Sequence, residues 1–113
     1  MPPAELTEAH LPQLQALRAR AFELVHFPLF AGYVGVKKGS CAALLEPLPE
    51  GRLRVFAPPA YVLDGNLAAR VEQGGEEWFV WKSRRVRATE ERRAALRRFE
   101  EELRTLLASR PAV

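Results

Sequence analysis

Cys41, His26 and Asp64 are of the right types to serve as nucleophile, base and orienting group. Their setting does not favour that chemistry. No G-x-S-x-G elbow surrounds a serine, and Cys41 opens a short apolar run, where a lone cysteine acts as a small buried hydrophobe. Metal chemistry is no better served. His10 and His26 are the only histidines, and the chain has neither C-x-x-C nor H-E-x-x-H spacing. The carboxylate pairs Glu76/Glu77 and Glu90/Glu91 and the run Glu100–Glu102 are adjacent in sequence, whereas a general acid and base must converge in a cleft. In the stretch Gly32 to Ser40 the lysines precede Gly39, the reverse of a phosphate loop, so Gly32 and Gly35 instead mark a bulge or a close backbone approach. No catalytic residue, metal or cofactor is expected, and the protein reads as non-enzymatic.

The segment from Glu76 to Arg98 carries the other chemistry. It opens with Trp78, Phe79, Val80 and Trp81 and then turns basic. Residues 82–98 hold eight basic and two acidic side chains, a surplus of six in a chain whose net charge is +3. Lys82, Arg84, Arg85, Arg87, Arg92 and Arg93 could engage the phosphates of a nucleic acid or an acidic partner, with the aromatic residues stacking on bases. Lys37 and Lys38 would extend this patch if the strand that bears them neighbours the last strand. Alternation along a strand argues against a one-sided platform. It sends Trp78 and Val80 to one face and Phe79 and Trp81 to the other, which predicts a strand buried on both sides. Helices can cover one side; the second needs a loop or another subunit. Trp78, Phe79, Val80 and Trp81 are thus expected in the core or in a homodimer interface.

The elements that must position these residues follow from periodicity and punctuation. Thr7 caps either a short turn over 7–11 or a helix beginning near Leu11, because Pro12 is tolerated only in a first turn. Leu14, Leu17, Ala21 and Leu24 or Val25 repeat at helical spacing, so this helix is predicted to end at Val25 or His26, before Pro28. Strands are predicted within 30–38, at 41–46, at 52–56, at 61–63 and 67–72 around the Asp64-Gly65-Asn66 turn, and as one last strand from Glu77 to about Val86. The links are too short for parallel crossovers. Thr89 caps a final helix with Glu90 and Glu91 in its first turn, a stripe of Leu96, Phe99, Leu103 and Leu106 or Leu107, and an end at Arg110-Pro111. The predicted fold is α+β: an antiparallel meander of four to five strands between N- and C-terminal amphipathic helices, in a single domain over 1–113.

Whole-chain properties set the expected context. A single cysteine rules out an internal disulfide, no apolar run reaches membrane-spanning length, and MPPAELTEAH has no basic region before an apolar stretch. These point to the cytoplasm. Fourteen arginines against three lysines, no isoleucine and one asparagine suit a GC-rich and heat-adapted source. The function that follows is a dimerising interaction module. The alternatives are a nucleic-acid binder using 82–98 and a small-ligand site between helix and sheet, the latter requiring an open pocket at Tyr33, His26 or Cys41.

Overall fold

The computed structural model describes residues 5–108. A 3-10 turn, Glu8–His10, leads into α1 (Leu11–Ala19), followed by β1 (Glu23–Val25) and a second 3-10 turn, Pro28–Phe30. Then come β2 (Val34–Lys38), β3 (Cys41–Pro47), β4 (Leu53–Val55), β5 (Ala60–Leu63) and β6 (Asn66–Leu67). The chain closes with β7 (Ala69–Gln73), β8 (Glu76–Trp81), β9 (Arg84–Arg87) and α2 (Glu90–Ala108). Every strand pairing is antiparallel, as the short links require. The α+β class with two helices is present. Instead of one meander of four or five strands, the described residues form a larger sheet, ordered β1-β2-β3-β5-β6 with β4 also on β3, and a three-stranded sheet, β7-β8-β9.

Both readings of the N-terminal segment are realised: a short turn precedes a helix that starts at Leu11, with Pro12 in its first turn. The helix stops well before Val25, however. The Phe22 amide donates to the Leu17 carbonyl (3.0 Å) and the Ala21 amide to that of Arg18 (3.1 Å), the two bonds of a Schellman cap. Ala21 takes the left-handed position at φ 67° where glycine is usual. That conformation costs an alanine about 1 kcal/mol. Burial of Phe22 offsets it: the ring packs on Phe99, centroids 5.4 Å apart, and the cap turns Glu23–Val25 onto β2.

The strand buried on both faces is β3 rather than the Trp78–Trp81 segment. Cys41, Ala43 and Leu45 face the helices with Leu17, Val34, Val36, Phe99 and Leu103. Ala42 and Leu44 face the other way and are roofed by Phe27, Phe30 and Tyr33 from the loop after β1. That loop supplies the second cover which the sequence left to a loop or a subunit, though for a different strand. Gly35 makes the roof possible: a Cβ there would lie 2.5 Å from the Val25 carbonyl oxygen and 2.7 Å from the Phe27 ring. The expected close backbone approach is therefore present at Gly35, while Gly32 lies in the turn before β2.

The Asp64–Gly65 turn joins β5 to β6 with both residues at positive φ (50° and 75°), the geometry favoured between two tightly linked strands. The predicted strand 67–72 is divided. Leu67 pairs with Val62 in the larger sheet, and Ala69 pairs with Val80 in the smaller one. The predicted last strand, Glu77 to Val86, is a hairpin. It reverses at Lys82–Ser83, where Lys82 adopts φ 53° without the glycine or asparagine that would have flagged a turn. The helix α2 matches its prediction at the start: Thr89 Oγ1 accepts from the Arg92 amide (3.2 Å), and Phe99, Leu103 and Leu107 are buried. Its predicted end at Arg110-Pro111 lies outside the described residues.

Candidate functional site

Cross-strand register fixes the two faces of the β7–β9 sheet. Residues directly opposite share a face, so Phe79, Val86 and Arg70 point one way with Glu77, Trp81 and Arg84. This inner face packs on the rest of the molecule. Phe79 is 1% exposed and stacks on Tyr61, with centroids 4.8 Å apart and planes 7° from parallel. Glu77 accepts from Arg70 (2.5 Å) and from Arg93 of α2 (3.2 Å). The Arg70 bond holds the Glu77 carboxyl below its ordinary range, with the charges of Arg70 and Arg93 adding to it.

The outer face carries Val71, Trp78 and Arg87 in one cross-strand row and Ala69, Val80 and Arg85 in the next. Every residue of these two rows is exposed or half-buried, and among the described residues β8 pairs only with β7 and β9. The guanidinium of Arg85 lies 4.4 Å from the Trp78 ring centroid and that of Arg87 5.8 Å, over a Trp78 that is half-buried. Val71 remains 39% exposed. The two tryptophans are thus separated by the sheet: Trp78 outside beneath arginines, Trp81 inside, near Val86 and Leu96.

The six cations singled out in the sequence do not form one surface. Arg85 and Arg87 share the outer face, Arg87 paired with Glu76 and Arg85 donating to Gln73 Oε1 (3.0 Å). Lys82 sits in the hairpin turn over the Trp81 ring, 5.6 Å from its centroid. Arg84 leans inward towards Asp64 (3.7 Å). Arg93 is engaged by Glu77 and Glu90 (3.2 and 3.1 Å). Arg92 donates to the Arg87 carbonyl (2.8 Å) and turns towards Tyr61. Lys37 and Lys38 do not extend this group, because β2 and β9 belong to different sheets, and Lys38 pairs with Glu102 (2.7 Å). On α2, Glu100 pairs with Arg104 one turn on (2.8 Å) and Arg97 pairs back to Glu90 (2.6 Å).

Cys41, His26 and Asp64 are not assembled into a triad. Cys41 opposes Lys38 at one end of the β2–β3 pair; His26 follows Val25, which opposes Gly35 towards the other end; Asp64 turns to Arg84. Among the described residues no three of His, Cys, Asp and Glu gather as metal ligands. No helix among them is long and apolar enough to cross a membrane.

A second concavity was not located by residue type. A groove of about 720 Å³ runs between α2 and the turn joining β2 to β3, lined by Lys38, Ser40, Cys41, Tyr61, Ala95 and Arg98 among others. Of the three residues at which the ligand alternative required a pocket, Cys41 lines this groove and Tyr33 and His26 do not. Tyr33, by contrast, stacks on Phe56 across the opposite face of the larger sheet, with centroids 4.1 Å apart. Burial pushes the Cys41 thiol up from its ordinary pKa, and the nearby Arg98 charge counters part of that rise. The sequence signal for the groove is faint: Ala95 is a small residue beside the large Leu96, Phe99 and Leu103 of the α2 stripe. Comparison of the chain with protein-family models, with curated proteins and with solved structures finds no match.

Proposed function

We propose that this protein is a non-enzymatic interaction module that self-associates through the outer face of the β7–β9 sheet. The observation that supports this reading is the apolar group Val71, Trp78 and Val80 on the outer side of adjacent strands, exposed at Val71 and half-buried at the other two. An apolar row on a sheet face is stabilised by whatever removes it from water, at about 25 cal/mol per Å². A second copy suits the face because its charges are of both signs. Arg85 and Arg87 of one copy can meet Glu76 of the other under twofold symmetry.

The test is light scattering over a dilution series. Wild-type protein is expected to pass from dimer to monomer on dilution. Val80→Arg should shift the transition to higher concentration by about tenfold or more, with unchanged circular dichroism. A wild-type chain that stays monomeric up to about 1 mM has at most roughly 4 kcal/mol of association free energy, and that result overturns the reading.

The same face supports one competing reading. Trp78 flanked by Arg85 and Arg87 is also an aromatic-and-cation platform for a single-stranded nucleic acid. Salt-sensitive binding of single-stranded DNA by a monomer, lost in Arg85→Glu, would favour it over self-association.

A further inference from the structure

We infer that the groove between α2 and the β2–β3 turn binds an amphipathic monoanion, its acidic head at Arg98 and Lys38 and its apolar body along Ala95, Phe99 and Cys41. The site is separate from the β7–β9 outer face and shares no residue with it. Its volume, about 720 Å³, falls within the roughly 300–1,000 Å³ typical of small-molecule pockets.

The shape comes from small residues. Gly39 ends β2 in a turn and Ala95 interrupts the bulky side of α2, so the space between them is unfilled. Phe99 and Cys41 belong to the main core and give this space an apolar floor; the Tyr61 ring forms another wall. A ligand consisting only of charge would leave these surfaces wet, whereas one with a hydrocarbon or aromatic body would cover them.

The charge comes from an incomplete set of ion pairs. Glu102, the carboxylate at this end of the groove, is shared by Lys38 (2.7 Å) and Arg20 (3.2 Å). Arg98, one helical turn before it, has no carboxylate within salt-bridge distance among the described residues. Lys38 and Arg98 thus face Glu102 within the groove, with Arg20 and Glu101 beyond its rim, a net positive end. At the opposite end Arg92 already donates to the Arg87 carbonyl, and Glu91 lies beside it. That contrast directs an acidic head to Arg98 and away from Arg92. Ser40 adds a hydroxyl to the lining.

Decanoate is a suitable probe, with 1-decanol as its uncharged counterpart. Calorimetric titration of the full chain below the micellar concentration should give saturable one-to-one binding of decanoate. Bound decanoate should also slow alkylation of Cys41 by iodoacetamide, because the thiol lies on the groove floor. Arg98→Gln is expected to weaken decanoate about tenfold, the effect of losing one charge-assisted hydrogen bond, without altering circular dichroism. Absence of saturable binding, equal binding of decanol, or unchanged affinity in Arg98→Gln would each overturn the assignment.

Discussion

Gln13 is a polar side chain only 4% exposed, held at the meeting point of three elements. From α1 its Nε2 donates to the Leu107 carbonyl of α2 (2.9 Å), and its Oε1 accepts from the Leu53 amide of β4 (2.7 Å). His10 makes a similar long-range tie. Its Nδ1 accepts from the Thr7 amide (3.1 Å), which leaves Nε2 to donate to the Leu48 carbonyl (2.8 Å). Replacing Gln13 with leucine keeps the volume but strands one buried donor and one buried acceptor. Gln13→Leu should therefore cost roughly 2–4 kcal/mol, read as a fall in the urea midpoint at unchanged slope. Residue-scale features were legible where the residue type is itself the signal. Gly35 under Phe27 and Thr89 at the start of α2 are of that kind. Ala21 and Lys82 were not legible. Each adopts a positive φ with a side chain that ordinarily avoids it, and tertiary packing of their neighbours imposes the turn.

At the scale of elements, ion pairs tie α2 to both sheets. Glu102 reaches Lys38 at the end of β2, and Glu77 of β8 reaches Arg93. Glu102, hydrogen-bonded by Lys38, and Glu90, hydrogen-bonded by Arg97, both titrate below their ordinary value of 4.5, as Glu77 does. A carboxyl whose pKa is lowered by folding stabilises the native state above its unfolded value. That contribution fades as the pH falls through the depressed folded values. The melting temperature should thus drop as the pH is taken below 4.5, and Glu102→Gln should make the drop shallower. Identical acid limbs in the two proteins would contradict this account. Elements were less legible where one pattern fits two environments. The run Trp78 to Trp81 suits burial on both faces, and within one chain the guanidinium groups of Arg85 and Arg87 lie over the outer Trp78 ring. The run from Cys41 to Leu45, made of smaller residues, is the one enclosed on both sides. Likewise, the spacing of Leu17, Ala21 and Leu24 suits a helix, yet Glu23–Val25 pair as a strand beside β2.

Across the whole molecule, the apolar interior is divided. One cluster lies between the larger sheet and the helices; another, around Phe79, joins the smaller sheet to Tyr61 and the start of α2. Leu96 packs against both. The Phe79 cluster has fewer buried members, namely Leu63, Ala68, Phe79 and Ala88, and its strands are exposed along much of their length. Amides of β7–β9 should therefore exchange with solvent through a smaller opening free energy than those of Leu44 and Leu45 on β3. Uniform protection across both sheets in native-state exchange would show that the two clusters open as one.

The passage of the chain from β6 to β7 bears on how the fold avoids errors. The Ala68 amide still bonds to the Tyr61 carbonyl (2.8 Å), while Ala69 is already in register with Val80. A slip of one residue in a hairpin turns every side chain to the wrong face. Here such a slip in β7 would pull Ala68 from Tyr61, and a slip in β6, carried through Ala68, would shift Arg70 and Val71 from their places opposite Phe79 and Trp78. Each short hairpin thus proofreads the alignment of the other, so the two-residue strand β6 needs little pairing energy of its own to be placed correctly.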